Sequence, residues 1–255
     1  SGGLTMSHLR FGKKPIKAPY LITTADFISC SNPAYVHKYD LLEGLKDEGI
    51  FLLNCVWKPE ELEEKLPASI KKYLADHKIN FYIIDAVNIA KEIGLGNRTN
   101  MIMQSAFFKL AKVIPQEQVV EYLKESVQHT YGKKGQKIVD MNNAAIDKGV
   151  ASIVKVEVPA SWSEAKDEAA AVQEVPAFVT DILEPMNRSE GDKLPISVFM
   201  KHKCEDGTFP TSTTRYEKRG VAAFVPQWHH ENCIQCNRCS FVCPHAAIRP
   251  LLLDE

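Results

Sequence analysis

Four of the chain's seven cysteines fall within eleven residues, in the run Cys233-Ile234-Gln235-Cys236-Asn237-Arg238-Cys239-Ser240-Phe241-Val242-Cys243-Pro244. The spacing is C-x2-C-x2-C-x3-C-P, that of thiolates arranged around a cubane iron–sulfur cluster. Three thiolates separated by pairs of residues on a tightly curling loop reach three irons of one cube, and soft sulfur suits iron. Cys243 is displaced by a helical turn. In two-cluster proteins the fourth cysteine ligates the other cluster, which would put Cys233, Cys236 and Cys239 in one set and Cys243 in another. No second run follows before Glu255. If the site is of the two-cluster type, neither cluster is expected to be completed within these residues, and the stretch reads as cut within a domain.

The competing reading is a zinc knuckle made from Cys233, Cys236, Cys239 and either Cys243 or His245, since zinc accepts four thiolates or imidazoles tetrahedrally. Pro244 directly after the fourth cysteine favours iron. Cys30, Cys55 and Cys204 stand alone in apolar surroundings and read as small core residues. Cysteines clustered as in a metal site, not dispersed as in a disulfide framework, imply a reducing compartment, hence the cytoplasm.

With 255 residues, 45% of them hydrophobic, the chain can bury a sizeable core. Its apolar runs, such as Phe51-Leu52-Leu53, fall far short of the roughly 20 residues that cross a bilayer, so no membrane is expected. A formal net charge of −1, with Lys and Arg spread along the chain, gives no basic face for nucleic acid. The first residues lack a secretory signal and an initiator Met, which reads as a trimmed or excised product.

Short apolar runs alternate with amphipathic stretches from Tyr20 to about Val158, the habit of strands separated by covering helices. The predicted class is therefore α/β, one layered domain. Predicted strands are Tyr20-Leu21-Ile22, Ile50 to Leu53, Ile79 to Ile84 and Ile153 to Val158, most of them buried on both faces. Predicted helices run from Ala34 to Leu45, Pro59 to His77 with a break at Pro67, Asp85 to Ile93, Asn100 to Val113 and Pro115 to Tyr131, with Pro115 at the first helical position. After Pro159 an acidic, Ala-rich run and then Pro176, Pro185, Pro195 and Pro210 predict a long connector. No G-x-G-x-x-G and no P-loop occurs, so neither dinucleotide nor nucleoside triphosphate binding is supported.

Around the cysteine run, the order of features resembles the pyruvate:ferredoxin (flavodoxin) oxidoreductase family over essentially the entire chain. Ser1-Gly2-Gly3-Leu4-Thr5 with Ser7-His8-Leu9-Arg10-Phe11-Gly12 is similar to the family's gamma region, as is Ala25-Asp26-Phe27 leading to Asn32-Pro33-Ala34-Tyr35-Val36. The blocks Ile93 to Arg98, Asn100 to Gln104 and Ala106 to Leu110 continue it, and Tyr216-Glu217-Lys218-Arg219-Gly220 looks like the family's Glu-Lys-Arg segment.

The resemblance implies a layered α/β/α gamma-type domain over 1–160, an extended connector with the Glu-Lys-Arg segment over 161–226, and an incomplete α+β ferredoxin-like cluster domain over 227–255. It also implies oxidative decarboxylation of pyruvate to acetyl-coenzyme A and CO2, with electrons passing along 4Fe-4S clusters to ferredoxin or flavodoxin. Thiamine diphosphate and Mg would belong to the full enzyme, expected to be a homodimer, and not to these residues, so turnover by this stretch alone is not expected. The oxidoreductase of another 2-oxo acid is the neighbouring reading; the Glu-Lys-Arg segment inclines the choice to pyruvate.

The family's gamma region is thought to help hold coenzyme A, which makes Gly96, Asn97, Arg98 and Asn100 candidates for its phosphates or amides. A Gly-containing turn at a helix N-terminus presents free N–H groups to anions, although an ordinary capped turn has the same sequence. Gly2 and Gly3 with Thr5, Ser7, His8 and Arg10 either line a cofactor cleft or enter a sheet as a strand. His229-His230 reads as a surface or interface pair. Glu217-Lys218-Arg219 reads as a salt-bridged anchor between domains, with a docking patch for the redox partner as the alternative.

Overall fold

The computed structural model describes residues 4–167, 175–217 and 225–251. These fall into two units, Ser1–Val221 and Ala222–Glu255. The first is built on a four-stranded sheet in the order β1 (Ala25–Cys30), β2 (Leu45–Asn54), β3 (Asn80–Ile84) and β4 (Val154–Val156). The β1–β2 and β2–β3 pairs are parallel, whereas β4 lies antiparallel to β3, with Phe81 opposite Val156. Parallel neighbours need crossovers, and helices supply them.

α1 (Leu62–Lys65) and α2 (Ala68–Asp76) link β2 to β3; α3 (Ala86–Glu92), α4 (Asn100–Ala111), α5 (Gln116–Tyr131) and α6 (Gln136–Ala151) lie between β3 and β4. Side chains alternate faces along a strand, and β2 and β3 are apolar on both. Phe51, Leu53, Phe81 and Ile83 bury with Leu62, Ile70 and Leu74 on one side of the sheet. Leu52 and Ile84 bury with Ala86, Ile89, Ile102 and Ala145 on the other. The result is the expected α/β/α layering, and a third cluster of Val119, Leu123, Val127, Val139 and Ile146 joins α5 to α6.

Three expected elements differ. Tyr20-Leu21-Ile22 forms no strand: the first strand begins at Ala25, and Tyr20 and Leu21 stand exposed. Their segment folds back on itself instead, with Arg10 4.9 Å over the Tyr20 ring, its Nη1 donating to the Ala18 carbonyl, and the Ile22 N–H donating to His8 Nδ1 at 3.1 Å. The expected helix from Ala34 to Leu45 is only a 3-10 turn, Pro33–His37, begun by the Asn32 side chain, because Leu45 already opens β2. Gly44 ends that connection in a left-handed conformation (φ +81°), and a Cβ there would lie 2.3 Å from the Thr23 carbonyl oxygen. Pro115 is the N-cap of α5, one position earlier than expected.

Beyond β4, Trp162 is buried, its indole N–H donating to the Glu63 carboxylate, while Asp167 Oδ1 accepts from the Ala68 N–H at 2.6 Å at the start of α2. The connector has a small core of its own. Phe178, Val179, Ile182, Leu183 and Cys204 bury together, with Val198, Phe199 and Tyr216 packed against them. Its regular elements are a π-helical stretch Val179–Leu183 running into α7 (Glu184–Asn187), then α8 (Ile196–Lys201). Lys218, Arg219 and Gly220 of the Glu-Lys-Arg segment, the end of the Ala-rich run, and Gly2 and Gly3 lie outside the described residues.

In the second unit, the described residues 225–251 hold a 3-10 turn, His230–Asn232, and α9 (Arg238–Val242), and none of their side chains is buried. No helix among the described residues is long and apolar enough to cross a membrane.

Candidate metal centre

The cysteine loop is shaped by left-handed backbone. Gln235 (φ 56°) and Asn237 (φ 58°) flank Cys236, so the chain reverses on either side of it. Asn visits this region readily, Gln seldom does. Cys233 closes the preceding 3-10 turn in an extended conformation, Cys239 is the second residue of α9, and Cys243 ends that helix.

All four thiols are free; Cys233, Cys236 and Cys239 are exposed and Cys243 is half-buried. The Ala247 N–H donates to Cys243 Sγ at 3.4 Å. This bond foremost, then the amides of His245 and Ile248, holds the Cys243 thiol below its ordinary pKa, because N–H donors favour the charged form. His245 thus acts on Cys243 through its backbone. Ser240 Oγ donates to the Ile248 carbonyl at 2.9 Å and fastens the returning chain.

Among the described residues no three His, Cys, Asp or Glu side chains stand together as a metal-holding group, so the loop presents its thiols without drawing them into one set. The donor chemistry nonetheless fits an iron–sulfur cluster: four unpaired thiols on one loop, one of them stabilised as thiolate by N–H donors, as sulfur ligands of such clusters are. These amide donors were not legible from the side-chain pattern; their one signal is Pro244, after which the chain turns back past Cys243. The neighbouring His229 and His230 share the Glu231 carboxylate at 3.1 and 3.2 Å and lie at the surface.

Cys30 and Cys55 differ in kind from the run. Both are buried, and burial pushes each thiol up to about 11.

The glycine turn between α3 and α4 collects Gly96, Asn97, Arg98 and Asn100 on one exposed stretch. Gly94 (φ +81°) closes α3: its N–H donates to the Lys91 carbonyl, and the Leu95 N–H reaches back to the Ala90 carbonyl at 2.8 Å. This pair of bonds is a Schellman cap, completed by burial of Leu95. Gly96 (φ +63°) has nothing within 4 Å of a Cβ position. Thr99 caps α4 without a side-chain hydrogen bond. The first amides of α4 therefore receive no acceptor from its side chain, the condition in which a helix start attracts anions. Thr5, Ser7 and His8 are exposed and lie in no strand.

Comparison with known proteins adds three matches of family models. Residues 1–152 match pyruvate ferredoxin/flavodoxin oxidoreductase, residues 164–222 a domain of unknown function, and residues 226–249 a 4Fe-4S binding domain. The chain is 60% identical over 255 residues to a pyruvate-flavodoxin oxidoreductase of Enterobacter agglomerans, covering 100% of this chain and 22% of that protein. It is 57% identical over 253 residues to a pyruvate:ferredoxin oxidoreductase of Moorella thermoacetica, covering 99% and 21%. A mitochondrial pyruvate dehydrogenase (NADP+) of Euglena gracilis is 46% identical over 257 residues, covering 100% and 14%. The chain thus spans about a fifth of the length of the first two relatives.

Proposed function

The chain belongs to the pyruvate ferredoxin/flavodoxin oxidoreductase family, and from that premise we propose that it is the part of such an enzyme that carries electrons away from the carbon chemistry. The observation that carries this reading is the loop of four free thiols, within the residues that match a 4Fe-4S binding domain. A bound 4Fe-4S cluster supplies one-electron transfer. Cys233, Cys236 and Cys239 would hold it as thiolates, and the amides of Ala247, His245 and Ile248 keep Cys243 ready as a ligand.

In this reading the whole enzyme oxidises pyruvate to acetyl-coenzyme A and passes electrons to ferredoxin or flavodoxin. Thiamine diphosphate and Mg sit elsewhere in it, and the remaining domains of a homodimer in the cytoplasm are this chain's neighbours. Gly96, Asn97, Arg98 and Asn100 meet coenzyme A, supported by the uncapped start of α4 beside them.

The test is anaerobic reconstitution with iron and sulfide, followed by desalting and metal analysis. In the full-length polypeptide both are expected to be retained, and Cys236→Ser is expected to lose the iron of one cluster while Cys204→Ser keeps it. Equal iron retention by the two variants would refute the assignment.

A further inference from the structure

Ser240 and Cys243 stand three residues apart on α9 and its C-cap, the spacing that puts two side chains on one helix face. Among the described residues 225–251 they are the two that are half-buried; the others are exposed. The chain that follows Cys243 turns back through Ala246, which is left-handed (φ 50°), and engages both. The Ala247 N–H donates to Cys243 Sγ at 3.4 Å, and the Ile248 carbonyl accepts from Ser240 Oγ at 2.9 Å. Neighbouring residues of the returning chain thus meet the sulfur and the hydroxyl.

The left-handed region is unfavourable for a residue with a Cβ, so the turn at Ala246 has to be held by bonds around it. Arg249 Nε donates to the Ala246 carbonyl at 3.0 Å, which braces the turn from within without reaching α9. The Ser240 hydroxyl ties the turn's far side to the helix.

We propose that Ser240 is a positioning residue for Cys243: its hydroxyl fastens Ile248 to α9, so that the backbone N–H groups of the returning chain stay directed at the Cys243 sulfur. Ser240 acts on that sulfur through the backbone it holds. N–H donors at a ligating sulfur favour the more negative, reduced state of a cluster, one of the factors that set its potential. The effect on a cluster rests on the reading given under the proposed function; the ordering of the amides by Ser240 does not.

The experiment compares Ser240→Ala and Ser240→Thr with the parent in the full-length polypeptide, metal-free and reconstituted with iron and sulfide. In the metal-free form, hydrogen exchange of the peptide covering residues 244–251, read by mass spectrometry, is expected to quicken about fivefold in Ser240→Ala, the weight of one ordinary hydrogen bond. Ser240→Thr, which keeps the hydroxyl, is expected to exchange at the parental rate. In the reconstituted form, Ser240→Ala is expected to keep its iron while the midpoint of one cluster, followed by electron paramagnetic resonance in a redox titration, moves to a more negative potential; Ser240→Thr keeps the parental midpoint. Exchange that Ser240→Ala leaves unchanged, or a midpoint that stays in place although exchange has quickened, overturns the proposal. A parent that retains no iron refutes the cluster reading instead, and the exchange comparison then decides by itself whether Ser240 holds the returning chain.

Discussion

At the scale of single residues, the cysteines sort by environment. The run's thiols reach solvent, whereas Cys30 and Cys55 are buried with pKa raised to about 11, so at neutral pH they remain neutral thiols and poor nucleophiles. Brief treatment of the folded, metal-free chain with iodoacetamide is therefore expected to label Cys233, Cys236, Cys239 and Cys243 and spare Cys30 and Cys55. Peptide mass spectrometry reads this, and labelling of Cys30 as fast as Cys236 would contradict it. Gly149 is constrained by contact: a Cβ there would sit 2.2 Å from Ser105 Oγ and 2.7 Å from the Ile102 carbonyl oxygen, where α6 crosses α4. Because backbone cannot yield as a side-chain tip can, Gly149→Ala is expected to cost about 1–3 kcal/mol in urea unfolding, and an unchanged midpoint would show that the helices part freely.

Among the elements, an ion cluster adjoins the connector's small core. Asp181 accepts from Lys201 Nζ at 2.8 Å and from His202 Nε2 at 2.9 Å, and the His202 ring packs edge-on against Phe178. These donors, Lys201 first, lower the Asp181 carboxyl from 3.8 to about 2. A depressed carboxyl contributes stability that is present above its unfolded pKa and lost as pH falls through its folded one. Unfolding of 178–204, followed by hydrogen exchange, is expected to become easier as pH drops from about 4 toward 2. Asp181→Asn is expected to remove that part of the pH dependence, and an identical profile in the variant would sink the idea.

Elements with strong, uninterrupted pattern were legible in the sequence: β3 lies within the expected Ile79 to Ile84, and α3, α4 and α5 fall at or within a residue or two of their expected spans. α6 was not, because Gly149 and the pair Asn142-Asn143 dilute its apolar stripe, and only packing on α4 and α5 makes it a helix. Tyr20-Leu21-Ile22 shows the reverse case, where local strand propensity has no partner to pair with and Ala25–Cys30 takes the place beside β2.

At the level of the whole molecule, the cysteine run was the most legible feature, since residue identity and spacing are written directly in the chain, and residues 226–249 match a 4Fe-4S binding domain. What spacing could not supply was the arrangement. The left-handed residues Gln235 and Asn237 and the amides around Cys243 depend on backbone conformation.

The central claim, that the run Cys233 to Cys243 holds an electron-carrying cluster, is tested most directly by electron paramagnetic resonance of the anaerobically reconstituted full-length polypeptide after reduction, with iron, sulfide and zinc measured on the same sample. The account predicts iron and sulfide in near-equal amounts and the signal of reduced 4Fe-4S clusters, diminished by one cluster's share in Cys236→Ser. Zinc alone, with no signal on reduction, would contradict it.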